Sequence, residues 1–345
     1  METIIIHAND EENLKKAGEI LKNGGLVAFP TETVYGLGGD ALNKDSSKKI
    51  YAAKGRPSDN PLIVHISKFE DIHKIVAEVT KEAEQIANAF WPGPLTMILP
   101  KSDKVPYETT GGLDTVAVRM PSHPVARKLI EYGGGYIAAP SANSSGKPSP
   151  TVAKYVIEDM QGKIDMIIDG GEVGIGLEST IIDLTVNPPQ ILRPGYITQE
   201  MLAKVLGTVD EDVTMFSVKA GVAPKAPGMK YRHYAPKGEL VIVQGDEKKV
   251  VEYINAQAQK ARENQEKVGV ISTAETFSRY EADVIKSAGN RNDEETIARN
   301  LYKILREFDD EEVTKIYSEG FEMAGFGQAI MNRLLKAAGH QVIDL

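Results

Sequence analysis

Tyr136-Ile137-Ala138-Ala139-Pro140-Ser141-Ala142-Asn143 is a buried apolar run that stops at a proline and gives way to a hydroxyl and an amide. A strand with such a polar loop at its tip is where open α/β sheets hold ligands. A second string behaves alike. A helical stretch over 45–53 runs into Lys54-Gly55-Arg56 and then Pro57-Ser58-Asp59-Asn60-Pro61, so both cations belong to a turn rather than to a solvated helix face. Either string alone reads equally well as a surface turn; together they describe a site for phosphates.

The flanking periodicities give a strand at Thr3 to His7, a helix from Glu11 to Leu21 capped by Asn9 or Asp10, and a strand at Leu26 to Phe29. That strand enters Pro30-Thr31-Glu32-Thr33-Val34-Tyr35-Gly36-Leu37-Gly38, read as a loop because it is rich in glycine and β-branched residues. Strands then fit 62–66, 95–99, 115–119, 136–139, 166–169, 179–184 and 190–192, and helices fit 81–90, 124–132, 152–160 and 199–206. The fold class is α/β: a large twisted mixed sheet with helices over residues 1–206. Residues 207–237 are rich in proline and glycine and read as a linker. Strand and helix alternate over 238–345, a smaller doubly wound, mostly parallel α/β domain.

At 345 residues, 41% hydrophobic and 26% charged, the chain has the composition of a soluble globular protein. The net charge of −9 is shared by both halves, so neither is a basic nucleic-acid platform, although a local RNA contact stays open. The chain contains 0 cysteines, which excludes disulfides, thiolate catalysis and cysteine-bound zinc and suits a cytoplasmic setting. No run approaches a membrane span.

Arg119 ends the alternating strand Val116-Ala117-Val118, and a cation there needs an anion: a ligand, or a structural carboxylate such as Asp114 or Glu32. Arg193 repeats the situation after Gln190-Ile191-Leu192. With Lys54 and Arg56, these cations suit several phosphates and a carboxylate. Gly36, Gly38 and Gly146 would allow close backbone approach. Neither Gly-x-Gly-x-x-Gly after a strand nor a P-loop is present, and the six histidines are scattered, so no metal site of protein side chains is expected. His65 interrupts the apolar strand Leu62-Ile63-Val64. In the linker, Lys230-Tyr231-Arg232-His233-Tyr234 is either a solvated tether or a lid over a nucleotide.

Phe29 to Gly38, Lys54-Gly55-Arg56-Pro57 with Asn60-Pro61-Leu62, Trp91-Pro92-Gly93-Pro94-Leu95-Thr96, Val118-Arg119-Met120-Pro121 and Pro140 to Gly146 closely resemble the threonylcarbamoyl-AMP synthases of the YrdC type. The resemblance covers nearly all of residues 1–206, and the remainder resembles that family's long, two-domain branch. It implies an adenylyltransferase that joins L-threonine, bicarbonate or CO₂, and ATP into threonylcarbamoyl-AMP and pyrophosphate, with Mg²⁺ carried on the ATP. Downstream tRNA threonylcarbamoyl-transfer proteins would use the product to modify the adenosine beside the anticodon. By motif position, the resemblance assigns Lys54, Arg56, Ser141 and Asn143 to the triphosphate. It adds Asn60, Thr115, Ser149, Arg193 and Tyr231 to the ATP site, and places Thr33, His65, Arg119, Ala139 and Ser179 around threonine. Two other classes remain: an RNA-binding module, and carbamoyl transfer to another acceptor as in hydrogenase-maturation relatives.

Overall fold

Short runs of mostly consecutive apolar residues, buried on both faces of a sheet, set most of the strands. The computed structural model describes residues 1–216, 226 and 233–345, excepting the side chains of 214 and 216. The chain divides into one unit of 1–145, 149–174 and 178–231 and a second of 146–148, 175–177 and 232–345.

The first unit is built on β1 (Ile4–His7), β2 (Val27–Phe29), β3 (Gly36–Asp40), β4 (Ile63–His65), β5 (Leu95–Pro100), β6 (Thr115–Arg119), β7 (Ile137–Ala139), β8 (Met166–Asp169), β9 (Thr180–Asp183), β10 (Gln190–Arg193) and β11 (Asp210–Glu211). They form one mixed sheet in the order β1-β8-β2-β3-β7-β4-β6-β5-β9-β10-β11. Asp10 caps the helix Glu11–Lys22 by accepting from the backbone N–H of Glu12 and Asn13, which settles the choice between Asn9 and Asp10.

Two corrections to the sequence reading bear on the site. Gly36 to Gly38 is not loop but the start of β3, paired with β2 as Phe29↔Gly36 and Val27↔Gly38. A Cβ on Gly38 would lie 2.8 Å from Ile137 Cγ2, and one on Gly36 would lie 3.2 Å from Phe29 Cζ. These glycines therefore make room for packing across the sheet, not for a ligand. Lys54 is the last residue of the helix Lys44–Lys54 rather than part of the turn; Gly55, at φ 64°, supplies the left-handed cap that ends it.

The faces of the sheet differ. On one, Val64, Met97, Val118, Ala138 and Ile182 pack with Ile50, Ile86, Val156 and Leu202 from four helices, forming the main core. On the other, the helices Glu11–Lys22 and Pro124–Tyr132 cover β2, β7 and β8 through Leu14, Leu21, Leu129 and Ile130. The neighbouring area of that second face carries a smaller cluster, Ile63, Ile98, Ala117, Ile181 and Leu192, packed with Ala226 of the linker.

The second unit holds β12 (Glu239–Gln244), β13 (Val268–Ser272), β14 (Val284–Ser287), β15 (Lys315–Glu319) and β16 (Val342–Asp344). Every pairing is parallel, in the order β14-β13-β15-β12-β16. Among the described residues, no helix is long and apolar enough to cross a membrane.

Candidate functional site

Residues paired across strands share a face, so the ladder registers map the site. Arg193 pairs Ile181, Ile181 pairs Thr96, Thr96 pairs Arg119, Arg119 pairs His65, and His65 pairs Ile137. Two arginines and a histidine therefore stand in one row across six strands. Neighbouring strands lie about 4.8 Å apart, so the two arginine Cα atoms are about 14 Å apart. A bulge in β10 between Ile191 and Arg193 permits this. Without the extra residue, Arg193 would fall on the opposite, main-core face. One step along the strands, Ile98, Ala117, Ile63 and Ala139 form an apolar row; a further step brings Thr115. Four residues of extended chain separate Thr115 from Arg119, about 13 Å.

The phosphate candidates form a corner beyond that apolar row. Lys54 is 4% exposed, and its Nζ donates to Ser141 O at 2.5 Å and Asn143 O at 2.6 Å. Ser145 N in turn donates to Lys54 O at 2.8 Å. A helix end is thereby clamped to the loop that follows β7. Burial, aided by the Arg56 charge, holds the Lys54 ammonium well below its ordinary pKa. Ser141 Oγ donates to Asn143 Oδ1 at 2.5 Å. Arg56 turns back on its own loop, with Nε donating to Asn60 O at 3.2 Å and Nη2 to Pro61 O at 3.1 Å. Among the described residues, Asn60 Oδ1 is buried without a hydrogen-bond partner, an acceptor on the loop that Arg56 grips.

The threonine candidates gather at the other end. Thr31 Oγ1 donates to Val34 O at 2.6 Å and accepts from Thr33 N at 3.1 Å, fixing the turn that carries Glu32 and Thr33. Arg119 pairs with Glu32, not Asp114: Nη2 lies 2.7 Å from Glu32 Oε1, outside hydrogen-bonding angles, and Asp114 instead accepts from Tyr107 OH at 2.9 Å. Burial is the largest single influence on Glu32 and raises its pKa, but the charge and N–H groups of Arg119, together with the nearby backbone N–H groups of Glu32 and Ser122, leave the carboxyl below its ordinary range. His65 Nδ1 lies 3.0 Å from Ile63 O, and burial with the Arg119 charge pushes its pKa down to about 3, so the ring is neutral.

Arg193 joins this end rather than the phosphate corner, donating from Nε to Ser179 O at 3.0 Å and from Nη2 to Ser179 Oγ at 3.2 Å. Two polar partners escaped the sequence reading. Thr96 Oγ1 lies 2.7 Å from Ser179 Oγ, and Glu178 Oε1 accepts from Ser149 Oγ at 2.6 Å. Thr96 had a signal, as a hydroxyl at an inward position of an apolar strand. Tyr231 lies outside the described residues.

Comparison with known proteins places these features in context. Residues 19–195 match the family model described as "Telomere recombination", and residues 197–339 match "Threonylcarbamoyl-AMP synthase, C-terminal domain". A threonylcarbamoyl-AMP synthase of Pyrococcus abyssi is 51% identical over 99% of this chain and 100% of its own length. One from Bacillus subtilis is 47% identical over 97% of this chain and 96% of its own length. A shorter one from Halorhodospira halophila is 37% identical over 49% of this chain and 89% of its own length. The crystal structure of Pyrococcus abyssi Sua5 complexed with L-threonine superposes with a TM-score of 0.94 at 50% identity, covering 100% of both chains.

Proposed function

This chain belongs to the threonylcarbamoyl-AMP synthase family, and on that premise we propose how its sheet face makes L-threonylcarbamoyl-adenylate for tRNA modification. The reaction consumes L-threonine, bicarbonate or CO₂, and ATP. The threonine ammonium gives up one proton to solvent to become the amine, whose nitrogen bonds to the carbon of CO₂ and releases a second proton, leaving a carbamate that keeps one N–H. A carbamate oxygen then attacks the α-phosphorus as the bond to pyrophosphate breaks, which makes the enzyme an adenylyltransferase. No protein nucleophile is required, so orientation and charge neutralisation supply the acceleration.

ATP takes the corner of Lys54, Arg56, Asn60, Ser141 and Asn143, with Thr115 at the near end of the apolar row and Ser149 in the adjoining loop. Threonine takes Thr33, His65, Arg119, Ala139 and Ser179, its carboxylate on Arg119. Arg193, bonded to Ser179 in the same row as Arg119, suits the α-phosphate of the ATP. The observation that carries this placement is the register: polar groups at both ends of one sheet face, joined by an apolar row across about 13 Å. That span suits a triphosphate and an amino acid brought end to end. Magnesium supplies neutralisation of the ATP phosphates when bound. Ser141 Oγ would offer it a neutral oxygen, whereas Asn143 Oδ1 already accepts from Ser141 Oγ and from Lys54 Nζ at 3.4 Å, and the described residues contain no cluster of three or more His, Cys, Asp or Glu side chains.

Ala226, wholly buried against Ile63, Ile98 and Ala117, supports a role for this residue's segment in shielding a labile carbamate from water at this face. The shorter Halorhodospira relative supports placing the chemistry in residues 1–206. The protein acts in the cytoplasm and passes its product to tRNA threonylcarbamoyl-transfer proteins. Pyrophosphate release dependent on threonine and bicarbonate tests the reading: Arg56→Ala and Arg119→Ala each abolish it with the fold intact, and unchanged turnover in both variants overturns it.

A further inference from the structure

Glu32, largely buried, and Arg119, buried, form a pair of opposite charges with unused hydrogen-bonding capacity. The Glu32 side chain is 13% exposed and that of Arg119 is 5% exposed. Taking both charges out of water is costly, and a buried pair offsets that cost only when its remaining donors and acceptors are also satisfied. Here they are not: among the described residues, neither Glu32 carboxylate oxygen and neither Arg119 Nε nor Nη2 makes an aligned hydrogen bond, Oε1 and Nη2 meeting at 2.7 Å as ions only. Buried polar atoms in folded proteins are nearly always hydrogen-bonded, so four such atoms within one ion pair call for a ligand. The ligand must bring acceptors for the guanidinium and donors for the carboxylate from neighbouring atoms. An α-amino acid in its zwitterionic form does so, with its carboxylate and ammonium attached to a single carbon.

The electrostatics agree. His65 is neutral, so Glu32 and Arg119 together give the pocket no net charge, matching a zwitterion. A carboxylate without an ammonium would bind Arg119 yet meet Glu32 as a like charge in a low dielectric. The pair is not loosely held, because Thr31 fixes the turn carrying Glu32 and the β4–β6 ladder fixes Arg119 beside His65. We propose that Glu32 is the ammonium-reading residue of the amino-acid pocket and that it selects α-amino acids against the corresponding hydroxy acids. This rests on the placement of threonine at Arg119.

The test is calorimetric titration of the full-length protein with L-threonine and with 2,3-dihydroxybutanoate, which replaces the ammonium by a hydroxyl. In Glu32→Gln, threonine binding should weaken on the order of tenfold or more. Binding of the hydroxy acid should hold or tighten, because its like-charge neighbour is gone. Glu32→Asp, which keeps the charge, should recover part of the preference for threonine. Equal weakening of both ligands in Glu32→Gln would overturn the assignment, since that marks a residue that only orients Arg119; unchanged threonine binding would overturn it as well. If either variant fails to fold, equal affinity of the unaltered protein for the two compounds overturns it. Absence of threonine binding to the unaltered protein would instead reject the placement of the pocket.

Discussion

Replacing His65 with glutamine should flatten the acid dependence of stability by a calculable amount. The imidazole is 4% exposed and sits between Arg119 and Ile137 on neighbouring strands, and its pKa is driven from 6.5 to about 3. In the unfolded chain a histidine keeps a pKa near 6.5. Between about pH 6.5 and about pH 3, the unfolded chain therefore binds a proton that the folded chain refuses. The stability contributed by a neutral His65 is complete above pH 6.5 and is lost as the pH falls. Integrated from pH 7.5 to pH 5, the loss is about 2 kcal/mol, with a limiting slope of about 1.4 kcal/mol per pH unit. Glutamine retains an N–H able to donate to Ile63 O, where His65 Nδ1 now lies at 3.0 Å, and it does not titrate. The chain contains 1 tryptophan, Trp91, buried in the first unit, so urea unfolding followed by its fluorescence reports on that unit. The unaltered protein should lose about 2 kcal/mol more than His65→Gln between the two pH values. His123 and the carboxylates titrate in both proteins and cancel in the difference. Identical acid dependence in the two would refute a buried neutral imidazole at this position.

Two further outcomes follow from the phosphate corner and the linker. Lys54→Met keeps the length of the side chain but removes the charge and the bonds to Ser141 O and Asn143 O. It should lower threonine-dependent pyrophosphate release on the order of 100-fold or more while the Trp91 unfolding transition persists; near-normal turnover would remove Lys54 from the reaction. Deleting residues 207–345 should impair turnover more than it destabilises the first unit, measured by the same fluorescence transition, and full activity of residues 1–206 would contradict a covering linker.

Where local pattern and tertiary demand agree, the sequence is transparent. The helices Lys81–Phe90 and Gln199–Leu206 begin at capping threonines, Thr80 and Thr198, whose hydroxyls accept backbone N–H groups, and the alternation of β6 is complete in five residues. β3 escaped because its glycines, required for close packing against Phe29 and Ile137, read as loop when taken alone. β14 and β16 escaped for another reason, being short strands at the two edges of the second sheet with few apolar residues to mark them.

The site divides in the same way. Lys54-Gly55-Arg56 and Ser141-Ala142-Asn143 stand out as compact strings, and the structure joins them through one ammonium. Pairings between distant residues are not written locally. The choice between Glu32 and Asp114 for Arg119 was open in the sequence, and only the arrangement of β6 beside the turn at 31–34 decides it. The bulge that turns Arg193 onto the site face likewise has no signature within Gln190-Ile191-Leu192.

The central claim is that one sheet face binds an amino acid and a nucleotide together and joins them through a carbon atom from dissolved CO₂. Incubating the purified protein with ¹³C-bicarbonate, L-threonine and magnesium ATP, followed by mass spectrometry, tests it directly. The account predicts a threonine-dependent adenylate carrying one ¹³C atom, formed in equal amount with pyrophosphate. An adenylate without the label, or ATP left intact with all three substrates present, would contradict it.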